Sequence, residues 1–577
     1  MSREPRSTAR AYARACALAS LLWFAGCVQV PRSADSTRAA ATDARAPRPN
    51  ILVIVADDMG PADLGSFGGE IPTPNLDALA REGVRLTNFH VAPACSPTRA
   101  MLLTGVDPHR AGHASLAEDT APNQQGKPGY EGQLPANVVT LAERLRDVGY
   151  RTLMTGKWHL GTTPASGPAA RGFDRSFTLI TGGASHFADM RPAYAPTPDA
   201  KANYWEDGRK LDALPPSFEY SSQFYVDRLI EYLDAAPADD EPFFAYLAFT
   251  APHWPLQAPD EAIARHAGRY DAGWDALAAA RLARQQALGI VPANATLAAH
   301  APRGRLWSTL NAQERRVASS AMEVYAAMID EMDRHVGRLL EHLRARGRLD
   351  DTIIVFLSDN GPEGHDLDET WPADHFPDIR RTIDTTHDFS LANMGRPGSY
   401  TLYGPDWARA GTPSLRLYKG FPTEGGIRAA AFLRYPARVP GARLVAAEAD
   451  ARDLAPTLLE LAGIPWAGGE YRGRAVEPIS GRSLLPLLSA QGAALPPRAT
   501  GMEFLGKRAF RSGRWKIVHM PAPHGSGDWQ LYDLEQDPGE RQDLAAALPE
   551  RVAALRAEWE AWAAANQVVL PDWVSGY

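Results

Sequence analysis

The sequence predicts an α/β fold: a large mixed, mostly parallel sheet flanked by helices, followed by a smaller C-terminal domain with an antiparallel sheet and a helix. Three observations lead there. Between residues 51 and 357 lie short apolar runs without alternation, the pattern of strands buried on both faces. Stretches with helical spacing separate them. Beyond residue 486 the pattern changes to short strand-like stretches and one terminal helix.

Residues 1–27 read as an export leader: Arg3, Arg6, Arg10 and Arg14, then the apolar run from Ala17 to Ala25, then Gly26-Cys27. Its end resembles the lipobox of bacterial lipoproteins. That implies lipidation at Cys27 and a place in the periplasm or cell envelope, with the membrane touched only through this anchor. Residues 28–48, rich in Ala, Ser, Arg and Pro, read as a flexible tether. The main domain is expected over 49–485. Its strands are Ile51 to Val55, Thr152 to Met154, Phe243 to Phe249 and Thr352 to Leu357. Its helices are Pro74 to Gly83, Val138 to Gly149 and Val317 to Arg346. On the last, Tyr325, Met328, Ile329, Met332, Val336, Leu339, Leu340 and Leu343 follow 3-and-4 spacing, so that face should pack on the sheet. Residues 260–315, rich in Ala and Arg, read as a helical insertion, and the helix DLAPTLLELAG closes the main core. In the small domain, 486–577, strands are expected at Lys507 to Arg511, Trp515 to Met520 and Gln530 to Leu534, then a helix from Pro549 to Ala564.

Composition narrows the function. With 577 residues, 45% hydrophobic and 22% charged, the chain can bury a large core. A formal charge of −8 argues against nucleic acid as a partner, so an anionic substrate must be held by local positive charge. No apolar run approaches the roughly 20 residues that a membrane-spanning helix needs. Of the three cysteines, Cys16 and Cys27 belong to the leader, which leaves Cys95 without a disulfide partner.

Each of the four strands is followed by polar residues: Asp57-Asp58, Lys157 and His159, His253, and Asp359-Asn360. Open α/β sheets bind ligands beyond the carboxyl ends of their strands, so these four are expected to serve one site. Asp57, Asp58, Asp359 and Asn360 offer only oxygen, which suits calcium or magnesium rather than zinc. Cys95 precedes Ser96-Pro97, which read as the cap and first residue of a helix. Free N–H groups at such a helix end favour an anion, and Arg99 lies one turn in.

The run from Cys95-Ser96-Pro97-Thr98-Arg99 to Leu103-Thr104-Gly105 resembles the signature motif of type I sulfatases, of the alkaline phosphatase superfamily. The run from Gly149-Tyr150-Arg151-Thr152 to Gly156-Lys157-Trp158-His159-Leu160-Gly161 resembles their second motif. Ala251-Pro252-His253-Trp254, Ser358-Asp359-Asn360-Gly361 and Leu417-Tyr418-Lys419 extend the likeness over residues 49–577. The GYEG, YGPDWA and WQLYDLEQDPGE stretches bring it nearest to bacterial arylsulfatases.

The resemblance implies an alkaline-phosphatase-like sheet, hydrolysis of aryl-type sulfate monoesters, and one calcium ion held by Asp57, Asp58, Cys95, Asp359 and Asn360. It also implies that a separate maturing enzyme oxidises Cys95 to formylglycine. One hydroxyl of the aldehyde hydrate attacks sulfur, and the other then loses a proton so that sulfate leaves by elimination. Asp359 would take the proton from the attacking hydroxyl, Arg99 and Lys157 would hold the hydrate, and His159 would take the second proton. His253 and Lys419 would bind sulfate and assist the leaving oxygen, beside Lys157.

The nearest alternative is a phosphonate monoester or phosphodiester hydrolase using the same formylglycine; a non-catalytic, lipid-anchored sulfate binder is the third reading. His186, in the Gly-rich stretch Thr181 to Ser185, is a candidate for the substrate pocket, with Trp205 and Trp254 as aromatic surface near it. His335 and His342 read as solvated, and His365, Asp366 and Asp368 as turn residues.

Overall fold

The strand Asn50–Ala56 is apolar beyond its first residue because both of its faces are covered. Leu52 and Ile54 enter one buried cluster, while Ile51, Val53 and Val55 enter another on the opposite face. The computed structural model describes residues 48–235, 241–489 and 492–573, so the expected leader, Cys27 and all but the end of the tether lie outside the described residues.

Asn50–Ala56 sits inside a ten-stranded sheet. It pairs in parallel with Thr352–Ser358 on one side and Phe243–Ala248 on the other. Arg151–Lys157 and Arg175–Leu179 continue in parallel, and the short antiparallel strands Tyr204–Glu206 and Arg209–Lys210 finish that edge. On the far side Ala431–Arg434 runs antiparallel to Thr352–Ser358, followed by Val84–Leu86 and Arg443–Val445. The register pairs Ala56 with Ser358 and Val55 with Ala248. Asp57, Asp359 and the loop bearing His253 therefore leave the sheet at one level.

The long helix Ala312–Ala345 starts on a capping box in which Asn311 accepts from the Glu314 N–H at 2.9 Å and Glu314 accepts from the Asn311 N–H at 2.7 Å. All eight residues of its expected apolar face are buried in the core. His335 corrects the sequence reading: it is 2% exposed, because Glu331, Arg334 and Arg338 close over its ring. His342, more open, pairs with Asp234 at 3.2 Å.

The 260–315 segment holds the helices Asp260–Ala264 and Gly273–Ala287. It is built into the core rather than appended to it. Arg281 is fully buried, with Nη1 2.6 Å from Asp63 and Nε 2.7 Å from Glu70. Trp274 and Trp307 from this segment pack edge-on against Trp407.

The C-terminal sheet is an antiparallel meander of Ala499–Phe504, Lys507–Ser512, Trp515–His519 and Trp529–Asp533. Helix Pro549–Ala565 covers one face through Leu555 and Trp559. The sheet also shares an apolar cluster with Ala408, Tyr418 and Phe421 of the main core. No helix among the described residues is long and apolar enough to cross a membrane.

Candidate active site

Cys95 is the first residue of the helix Cys95–Thr104, whose N-cap is Ala94. The helix thus starts two residues before the expected position. Thr98, not Ser96, ties down the entry: its hydroxyl accepts from the Ala92 N–H at 2.8 Å, while the Ser96 hydroxyl is buried without a partner. Proline at the third position is tolerated because N–H groups of the first turn have no intrahelical acceptor.

Around this helix end the four strand ends converge. Arg99 is fully buried; its Nε and Nη2 donate to Asp359 Oδ2 at 2.9 and 2.7 Å, and Nη1 donates to the Lys157 carbonyl at 2.9 Å. Lys157 Nζ donates to both oxygens of Asp57, at 3.0 and 2.8 Å. Lys419 Nζ lies between Asp58, at 2.9 Å, and Glu363, at 3.1 Å. Cys95 Sγ is 3.7 Å from Asp58 Oδ1, which also accepts from Asn360 Nδ2 at 2.7 Å. Charges this deeply buried persist only when paired and hydrogen-bonded.

Burial pushes the Asp57 carboxyl up to about 7 and raises that of Asp58 as well, against the pull of Lys157 and Lys419. Asp359 goes the other way: burial raises it, but Arg99 and Lys157 outweigh that and hold it below the usual carboxylate range. Burial also keeps the Cys95 thiol protonated, far above its ordinary value. A neutral buried thiol is a poor nucleophile.

Two histidines complete the site. His253 Nδ1 donates to the Trp254 carbonyl at 2.6 Å, which leaves Nε2 as the acceptor, 3.5 Å from both Lys419 Nζ and Asp58 Oδ2. Burial, then Lys419 and Lys157, push its pKa well down, so the ring is neutral. His159 faces Glu118 through Nε2, at 3.3 to 3.4 Å, and its Nδ1 is buried without a partner. Gly182 and Gly183 pack against these two rings so closely that a Cβ would sit 2.8 Å from His159 and 3.2 Å from His253. A narrow cleft is lined by Cys95, Glu118, His159, Tyr194, His253 and Lys419, among others.

Asp57, Asp58, Cys95 and His253 each offer a ligand atom, all within 4.8 Å of one another. Asn360 Oδ1 is buried beside them with no partner. An orphaned carbonyl oxygen among crowded carboxylates fits a hard cation. Asp359 is more committed, with Oδ2 on Arg99 and Oδ1 accepting from the Asp58 N–H at 3.2 Å.

The family model for sulfatases matches residues 49–464. The chain belongs to the sulfatase family. This sulfatase is 41% identical over 538 residues to an uncharacterised sulfatase of Schizosaccharomyces pombe, covering 92% of this chain and 96% of the relative. It is 39% identical to an arylsulfatase of Klebsiella aerogenes, covering 78% and 92%. Among solved structures, that of Ps i-CgsB matches with a TM-score of 0.62 at 26% identity, over 91% of this chain and 95% of that one. It is therefore a sulfuric ester hydrolase, and its substrate is a sulfate ester.

Two expectations about the sulfatase's pocket are corrected. His186 does not line the cleft: its Nε2 donates to the His253 carbonyl at 3.0 Å and its Nδ1 accepts from Ser221 at 2.8 Å. It supports His253 from behind. Trp205 is buried in the core, its Nε1 donating to Asn203 at 2.8 Å; Trp254 alone of the two lines the cleft. Glu118, Tyr194, Trp371 and Glu363 were not legible in the sequence, although Glu363 follows Asn360 by three residues in the same loop. His365 and Asp366 serve the local fold, His365 through Glu363 at 2.7 Å and Asp366 as the cap of the short helix Leu367–Thr370; Asp368 pairs with Arg380.

Proposed function

We propose that this sulfatase hydrolyses aryl-type sulfate monoesters with a formylglycine made from Cys95 by a maturing enzyme, assisted by one calcium ion. The charge balance around Cys95 carries the reading. Four buried carboxylates, Asp57, Asp58, Asp359 and Glu363, face three permanent cations, Arg99, Lys157 and Lys419, beside neutral histidines. With all four ionised, as a bound cation would favour, these seven side chains sum to one negative charge. A divalent cation reverses it to one positive charge, which matches a singly charged ester and leaves a doubly charged phosphate monoester unbalanced. The all-oxygen set of Asp57, Asp58 and Asn360 favours calcium over zinc for that role.

The oxidised side chain supplies a nucleophile that can shed sulfate again without attack by water. The cation supplies positive charge beside it. Cys95 Sγ stands where an oxygen of the oxidised side chain would be. Arg99 and Lys157 fix the pocket from below through Asp359 and Asp57. His159 is held by Glu118 with its proton on Nε2, so its bare Nδ1 is the acceptor for a proton. His253 carries its proton on Nδ1, toward Trp254, which supports Lys419 Nζ over His253 as the donor to the leaving oxygen.

The test is a comparison of kcat/KM on an aryl sulfate and an aryl phosphonate monoester, both singly charged. The reading expects the sulfate to be turned over faster; a faster phosphonate overturns it in favour of the alternative. We propose also that Cys27 is lipidated and holds the protein in the cell envelope, on the strength of the leader sequence. A Cys27→Ala variant is then expected in the soluble fraction, and retention with the membrane contradicts the anchor.

A further inference from the structure

The cleft has cations at its floor and an acid at its rim. Lys419 lies inside, beside Cys95, while the Glu118 side chain is 18% exposed at the edge. Glu118 accepts from the Tyr194 hydroxyl at 2.8 Å and faces His159 Nε2. Among the described residues no Lys or Arg forms an ion pair with it. Burial raises its pKa, but hydrogen bonds from His159 Nε2 and the Tyr194 hydroxyl hold it below the usual carboxylate range, while burial keeps His159 below its ordinary value. The rim therefore carries a negative charge that no permanent cation cancels. Its neighbour Asp119 differs, since it is buried and its charge acts on the Lys507 ammonium. The walls are aromatic: Tyr194 lies 5.0 Å from Trp371 and 6.4 Å from Trp254, centroid to centroid. Glu118 and these three rings line the same cleft as Cys95 and Lys419.

We propose that Glu118 sets the charge specificity of the leaving group: the cleft takes flat aromatic esters that are neutral or cationic there and rejects those carrying a second anion. The inference rests on the sulfatase reading above. Aromatic faces attract cations and stack on flat rings, and a carboxylate without a lysine or arginine partner beside them repels an anion. At a rim open to water the repulsion amounts to about three- to tenfold in kcat/KM.

The test uses the full, matured chain and three phenyl sulfates bearing trimethylammonio, nitro or carboxylate at the meta position. For each, kcat/KM of Glu118→Gln is divided by that of the unsubstituted protein, which cancels leaving-group reactivity and any common loss through His159. The quotient for the carboxylate ester is expected to exceed that for the nitro ester about three- to tenfold, and that for the trimethylammonio ester to fall below it. Glutamine is isosteric at this partly exposed position, and Glu118→Asp, which keeps the charge, is expected to keep the original order of the three esters. Three equal quotients, or an Asp variant that behaves like the Gln variant, overturn the proposal. Absence of turnover on all three by the unsubstituted chain removes the aryl sulfatase reading itself and the inference with it.

Discussion

Arg99 spends its guanidinium on Asp359 and on the Lys157 carbonyl, with Asp57 3.5 Å away. Its cost of burial is offset only by those contacts, which tie three strand ends to the helix of Cys95. One consequence concerns Asp359, assigned from the sequence as the proton acceptor. Both its oxygens are engaged, and Arg99 and Lys157 hold its pKa down against burial, which weakens it as a base. Asp359→Asn is expected to lower kcat by about a hundredfold or more, the general scale for losing such a group, measured on a chromogenic aryl sulfate. Activity within a few-fold of the original would remove Asp359 from the machinery. The residues inside long motifs were legible because strand ends and helix starts have fixed chemistry. Glu118 and Glu363 were not, since a loop carboxylate carries no periodicity and gains its meaning only from His159 and Lys419 in space.

Among the elements, strands apolar on both faces and the long amphipathic helix could be read directly, because burial on two sides or on one stripe leaves its period in the sequence. The edge strands Tyr204–Glu206, Arg209–Lys210 and Ala499–Phe504 could not. They are short and mixed in polarity, and their neighbours' hydrogen bonds hold them. His335 misled for a related reason: the spacing puts it off the apolar stripe, yet salt-bridging arginines bury it. His109 joins the loop after the Cys95 helix to strand Ala499–Phe504, with Asp107 at 3.3 Å and Glu503 at 3.4 Å. Burial would lower its pKa, but hydrogen bonds to those two carboxylates raise it from 6.5 to about 9. The native chain then holds an extra proton between those values. Its contribution to stability is whole below about pH 6.5 and is lost as pH rises through about 9. The stability difference between the unsubstituted protein and His109→Gln should shrink by about 3 kcal/mol across that window, read by denaturant unfolding at each pH. A difference that does not vary with pH contradicts the assignment.

For the molecule as a whole, the sheet brings residues 57, 95, 157, 253, 359 and 419 to one end, where Asp57, Asp58, Cys95 and His253 offer ligand atoms within 4.8 Å of one another. Calcium added to the metal-stripped protein is therefore expected to raise its resistance to unfolding by about 2.7 kcal/mol at a hundredfold excess over Kd. Unfolding that is indifferent to calcium would argue against the oxygen site. The central claim, that residue 95 acts as an oxidised cysteine, is tested most directly by the mass of the peptide that carries it, taken from protein matured in a host with the modifying enzyme. A peptide about 18 Da lighter than the thiol form, in a proportion that tracks specific activity, is the expected result. An unmodified thiol in fully active protein would contradict it.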